Sequence, residues 1–187
     1  NITFVGATQY GLFVRDSAAN FGTVNVTNCD FYAGGLRFAT TDSTIGGNVN
    51  INNTRIMYSI TPVYDPDYPV HINEDGDVHP YLGLWVSLAN INKFNLSNSK
   101  VQFGRTLIVF DNGNRFTASN CYITDSTVHP VEFGHPNGAN SIYKFENCTF
   151  AMHGSTIYVP QSHITSEAND GYEFHFYNNN IYRGEVG

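Results

Sequence analysis

The chain has 187 residues, enough for one domain with a sizeable buried core. Nine Lys and Arg against 16 Asp and Glu leave a formal charge of −7, which makes nucleic acid a poor match because a surface that follows a nucleic-acid backbone needs many basic residues. With 41% hydrophobic, 14% aromatic and only 13% charged residues, disorder is excluded, and no stretch approaches the roughly 20 apolar residues of a membrane span. The chain contains 23 Asn but only 3 Lys, and so much Asn beside 17 Gly disfavours helix and suits turns. The composition reads as all-β.

In chain order, one unit recurs: two apolar residues at alternate positions, an Asn, a residue that is mostly small, and an apolar residue three after the Asn. It opens as a half-unit, Asn1-Ile2-Thr3-Phe4. Complete copies follow at Val24 to Phe31, Val49 to Ile56, Phe94 to Val101, Phe116 to Ile123, Tyr143 to Phe150 and Phe174 to Ile181. The unit Asn residues are Asn1, Asn28, Asn53, Asn98, Asn120, Asn147 and Asn178, spaced 27, 25, 45, 22, 27 and 31 residues apart. This is strand alternation broken at one fixed point, and Asn tolerates the left-handed backbone needed to bend a strand there. A second apolar-x-apolar strand follows each Asn but the last: Leu12-Phe13-Val14, Leu36-Arg37-Phe38, Leu84-Trp85-Val86, Leu107-Ile108-Val109, Val131-Glu132-Phe133 and Ile157-Tyr158-Val159. About three short strands per repeat predict a coil of parallel strands, whereas a propeller would require longer units and hairpin turns.

With its stacked Asn at one turn and inward Val, Ile, Phe and small residues, the chain resembles the right-handed parallel β-helix of the pectate-lyase-like superfamily, in the manner of phage tail spikes and surface polysaccharide-associated proteins. The expected fold class is therefore all-β, a right-handed parallel β-helix (solenoid) of about six to seven turns. Residues 1–187 are read as a single β-helix segment of a longer protein or one capped by other chains, because solenoids need end-caps and no obvious cap stands at either end. Architecture does not identify chemistry, since one fold carries unrelated functions.

Cys29, Cys121 and Cys148 each follow a unit Asn, in the position held by Thr54 and Ser99 elsewhere. An odd count in one inward column predicts free thiols serving as small core residues; the alternative is a Cys121–Cys148 disulfide between neighbouring turns. Glycosylation sequons begin at Asn1, Asn25, Asn52, Asn95 and Asn147, but four of them arise from the Asn/Thr-rich repeat, Asn147 is itself a turn Asn, and the outward Asn and Thr read as a solvated sheet face.

Candidate functional residues lie on the second-strand series. Its central residues, Phe13, Arg37, Trp85, Ile108, Glu132 and Tyr158, are expected to form one outward stripe with strands about 4.8 Å apart. An exposed apolar stripe usually marks a partner or ligand, and Trp and Tyr platforms beside Arg and Glu suit a glycan. The resemblance implies a substrate groove over the corresponding sheet. The competing reading covers the stripe with a loop or a neighbouring subunit.

The longest interval holds an inserted acidic loop, residues 59–82, which enters just before Trp85. Its acids Asp65, Asp67, Glu74, Asp75 and Asp77 suggest a Ca²⁺ site, although Asn73-Glu74-Asp75-Gly76-Asp77 lacks the EF-hand order; the alternative is a solvated loop that shapes the groove, with no cofactor. If the chain is an enzyme, it is a polysaccharide lyase or glycoside hydrolase. Hydrolysis would pair Glu132 with Asp111, Asp125 or a loop acid, and β-elimination would use Arg37 as base. His129, His135, His163 and His175 form no i, i+4 metal pair and read as surface residues.

Three functions follow: a carbohydrate-binding or adhesion segment of a phage tail spike or cell-surface protein, a polysaccharide-cleaving enzyme on the same groove, or a structural subunit of a homotrimer or larger assembly. The expected partner is a surface polysaccharide, and the expected location is extracellular, at a cell surface or on a virion.

Overall fold

A computed structural model of the chain describes residues 2–5, 10–16, 22–32, 35–40, 46–57, 84–87, 91–110, 115–133, 142–152, 157–158 and 173–183. Among these residues the regular structure is entirely strand. In chain order the strands begin with β1 (Ile2–Val5), β2 (Tyr10–Asp16), β3 (Thr23–Thr27), β4 (Cys29–Tyr32), β5 (Gly35–Thr40) and β6 (Gly46–Asn52). They continue with β7 (Arg55–Met57), β8 (Leu84–Ser87), β9 (Ile91–Ser97), β10 (Lys100–Phe110), β11 (Arg115–Ser119) and β12 (Tyr122–Phe133). The last are β13 (Ile142–Glu146), β14 (Thr149–Met152), β15 (Ile157–Tyr158), β16 (Glu173–Tyr177) and β17 (Asn180–Arg183).

These strands form two sheets, and every pairing is parallel. The strands that precede each unit Asn make a six-stranded sheet in the order β16-β13-β11-β9-β6-β3. Those that follow it make the path β1-β4-β7-β10-β12-β14-β17 of the eleven-stranded sheet. Off that path, β2, β5, β8 and β15 continue the same sheet, joined to it through the long strands β10 and β12. Neighbours in each row come from successive repeats, so one repeat adds one strand to each row.

All six complete units place their Asn in the left-handed region, with φ between 48 and 56° at Asn28, Asn53, Asn98, Asn120, Asn147 and Asn178. A branched or bulky residue would be strained there, whereas Asn is among the few non-glycine types that adopt it readily. The corner does not interrupt the sheet hydrogen bonding. Each Asn N–H donates to the carbonyl just before the next unit Asn: Asn28 to Asn52 (3.2 Å), Asn53 to Ser97 (3.1 Å), Asn98 to Ser119, Asn120 to Glu146 and Asn147 to Tyr177. Two residues on, the N–H donates in the opposite direction, as from Lys100 to Thr54 and from Tyr122 to Ser99, both at 2.9 Å. Side-chain amides add a partial ladder, with Asn53 Nδ2 donating to Asn28 Oδ1 (2.7 Å), Asn98 Nδ2 to Asn52 Oδ1 (2.9 Å) and Asn120 Nδ2 to Asn98 Oδ1 (3.3 Å).

The apolar positions of the repeat are the core columns. Val49, Phe94, Phe116 and Tyr143 are fully buried four residues before the Asn, as are Ile51, Leu96, Ala118 and Phe145 two before it. Three residues after it, Ile56, Val101, Ile123 and Phe150 have no exposed surface. Rings in these columns stack, Phe94 on Phe116 at 5.6 Å and Phe145 on Phe176 at 5.2 Å between centroids. From the second-strand row, Phe38 meets Phe94 edge-on at 5.8 Å, so both sheets share one core. At the last repeat the column three after the Asn emerges, Ile181 being 55% exposed, and at the first repeat Ile2, in register with Cys29, is 58% exposed.

The inward column after the Asn is as expected. Cys121 and Cys148 are buried, Cys29 is half-buried, and all three are free thiols; Thr54 and Ser99 are buried at the equivalent place. Each side chain donates to the carbonyl two residues earlier: Cys29 to Thr27, Thr54 to Asn52, Ser99 to Ser97, Cys121 to Ser119 and Cys148 to Glu146. A thiol and a hydroxyl thus serve the same local bond. Hydrogen bonding to Cys148 and burial push the Cys121 thiol well above its ordinary range.

Two outcomes follow. Replacing Asn98 by Gly is expected to cost less stability than replacing it by Ala, and Val is expected to cost most, with Ala losing roughly 1–2 kcal/mol to the left-handed backbone alone in urea unfolding. In timed labelling with a thiol reagent, Cys29 is expected to react first and Cys121 and Cys148 only at the rate of unfolding.

Candidate functional site

The second-strand row brings most of the expected stripe into one register. Phe13 opposes Arg37, Arg37 opposes Trp85, Trp85 opposes Val109, Val109 opposes Glu132, and Glu132 opposes Tyr158. Leu36 and Phe38 are fully buried on either side of half-buried Arg37, so Arg37 lies on the opposite face of its strand from these core residues.

Ile108 departs from the expected pattern. It stands in the adjacent row, opposite Leu84 and Val131, and Val109 occupies the place between Trp85 and Glu132. Leu107-Ile108-Val109-Phe110 is an unbroken apolar run, which fits either alternation, and a one-residue slip exchanges the faces. The register is decided upstream. Gly104 opposes Ser126 but Thr106 opposes His129, so β12 accommodates one residue more than β10, and Ile108 then meets Val131, which is fully buried.

Other candidates fall elsewhere. Asp111 and the acids Asp65, Asp67, Glu74, Asp75 and Asp77 lie outside the described residues, as does the whole 59–82 insertion. Among the described residues, no group of three or more His, Cys, Asp or Glu is arranged to hold a metal ion, and no helix is long and apolar enough to cross a membrane. His175 takes part in a local surface network, with Nε2 2.7 Å from Glu173 and Nδ1 2.9 Å from the Tyr177 hydroxyl.

A second polar surface flanks the Asn corner. The residues two after each unit Asn form the register Asp30–Arg55–Lys100–Tyr122–Thr149–Asn180 across β4, β7, β10, β12, β14 and β17. Asp30, Arg55 and Lys100, with Asn28, Asn53 and Asn98 beside them, line an open trough of about 540 Å³. Arg55 grips Asp30 in a side-on fork, Nε to Oδ1 at 2.7 Å and Nη2 to Oδ2 at 3.1 Å. That bond holds the Asp30 carboxyl below its usual range and raises Arg55. The Arg55 guanidinium also lies 5.7 Å from the Tyr32 ring centroid, and the Lys100 ammonium 5.4 Å from that of Tyr122. Sequence reasoning missed this surface because unit spacing varies; aligning the residue two after each Asn discloses Asp, Arg, Lys and Tyr in succession.

Asp30 makes a signed pH prediction. Its folded-state pKa is lowered, so the pair stabilises the fold above the ordinary carboxylate range and loses that contribution as pH falls through the folded value. Wild type is expected to exceed Asp30→Asn slightly in stability near neutral pH, the difference being small because both side chains are partly exposed, and the two unfolding curves are expected to converge in acid. No family model, curated protein or solved structure matches the chain.

Proposed function

We propose that the chain is a segment of a right-handed parallel β-helix of the pectate-lyase-like kind that binds surface polysaccharide, as part of a phage tail spike or a cell-surface adhesion protein. Parallel pairing between successive repeats and the recurring left-handed Asn are compatible with such a coil. One observation carries the binding reading: the shared register of Phe13, Arg37, Trp85, Glu132 and Tyr158. With strands about 4.8 Å apart, Phe13 and Trp85 stand two strands apart and Tyr158 three strands beyond Trp85, spaced places for the apolar faces of successive sugars, while Arg37 and Glu132 between them supply groups for hydroxyls. On this reading the 1–187 unit acts as one binding segment of a larger extracellular or virion assembly.

Binding is tested against a panel of neutral bacterial and plant polysaccharides, with reducing ends and unsaturated sugars measured in parallel. Trp85→Ala is expected to weaken retention of the bound polysaccharide about tenfold, the loss of one stacked aromatic, with no product released by any form. Product formation that disappears in Glu132→Gln or Arg37→Ala while binding persists would replace this reading with a polysaccharide-cleaving one. A change in oligomeric mass on Trp85→Ala, with no polysaccharide retained by either form, would make the row a subunit interface.

A further inference from the structure

The corner trough carries a second site. Arg55 and Lys100 are direct register partners on neighbouring parallel strands, β7 and β10, one strand spacing apart. Like charges so placed repel, and such pairs destabilise a sheet unless something neutralises them. Asp30 answers Arg55 from β4. Lys100 makes no ion pair among the described residues; its ammonium lies over the Tyr122 ring. The trio therefore keeps one net positive charge on a chain whose total is −7, which focuses that charge at the trough.

The donors that remain define the ligand. Arg55 has spent its Nε/Nη2 edge on Asp30, the flat fork that would otherwise receive a planar carboxylate. What it still offers is the Nη1 end, beside a rotatable Lys100 ammonium. The Asn53 amide uses one N–H on Asn28 and the Asn98 amide one on Asn52, so each keeps a second N–H. Separate single donors on Arg55 and Lys100, with the flat Arg55 fork already taken, suit a group with several oxygens better than a planar carboxylate, and one net positive charge suits a single negative one. We propose that the trough formed by Arg55, Lys100, Asn53 and Asn98 binds a singly charged tetrahedral ester on a saccharide or polyol, a sulfate monoester or a phosphodiester. Lys100 and Arg55 Nη1 take the anionic oxygens, the free amide N–H groups of Asn53 and Asn98 take neighbouring hydroxyls, and the exposed Tyr122 ring borders the sugar. This site shares no residue with the Trp85 row and stands whether or not that row binds a neutral glycan.

Its test measures retardation of the full chain in gels containing dextran sulfate, a glycerol-phosphate polymer, polygalacturonate or unmodified dextran. Dextran sulfate or the glycerol-phosphate polymer is expected to retard the chain; polygalacturonate and dextran are not. Lys100→Gln is expected to weaken that retardation about fivefold, the loss of one charge-assisted contact, with an unchanged unfolding midpoint. Lys93→Gln removes the same charge from an exposed site on the other sheet and is expected to leave it unchanged. Retardation by dextran sulfate alone identifies a sulfate ester, by the phosphate polymer alone a phosphodiester, and by both a general tetrahedral monoanion. Equal losses in Lys100→Gln and Lys93→Gln, equal retardation by polygalacturonate, or none by either ester would overturn the proposal. Trp85→Ala leaves this assay unchanged, so failure here and failure of the neutral-glycan platform are separate results.

Discussion

A left-handed Asn whose N–H reaches the next repeat is the constraint on which the rest of the structure depends. It bends the chain by about one residue's worth of backbone and keeps both neighbouring strands in the ladder. A glycine would reach the same backbone angles, but without a side chain it would forgo the amide contacts between Asn28, Asn53, Asn52, Asn98 and Asn120 and would cost more conformational entropy. Because the corner fixes where each strand starts, the apolar positions before and after it fall into columns. Burial then follows from register rather than from any individual side chain's preference. That is why the columns accept Val, Ile, Leu, Phe, Tyr and Ala interchangeably.

The corner also organises polar groups that are not part of the core. One residue past the Asn, thiols and hydroxyls alternate freely because each donates to the same carbonyl two residues back. The last repeat solves the problem differently: Asn179 stands in that position, accepting from Cys148 N–H at 2.8 Å and donating to the Phe145 carbonyl at 3.1 Å. Thr54 N–H makes the equivalent link to Ser99 Oγ. Two residues past the Asn, side chains lie on the other face, and from Asp30 through Arg55 and Lys100 to Tyr122 they are charged or aromatic. Core and trough are thus adjacent residues of the same strands.

Much of this was legible in the amino-acid sequence, because the repeat is written at fixed distances from one residue type. The six left-handed corners, the three apolar columns and the thiol column all lie within four residues of an Asn, where spacing does not vary. Legibility fell with distance from the corner. Ile108 lies ten residues past Asn98, beyond the point where β12 accommodates its extra residue, and an apolar run gives no internal clue to which face is which. The Asn ladder likewise slips, since Asn98 donates to Asn52 rather than to Asn53, a choice set by side-chain rotamers that no pattern encodes. The trough depends on which charged residues become neighbours across intervals of 25 and 45 residues, so only alignment by corner brings them together.

The interval from Asn53 to Asn98 is 45 residues and that from Asn98 to Asn120 is 22, yet the corner bonds at both are the same. The ladder counts rungs and is blind to the chain between them, whose closure entropy grows only slowly with length. Every corner is therefore an equivalent splice junction. Excising residues 98–119 joins Ser97 to Asn120, and Phe94 to Ser97 followed by Asn120 to Ile123 again spells a complete unit. Length in such a protein is a quantity that whole-rung duplication or loss can change in frame, with no new kind of contact having to be invented.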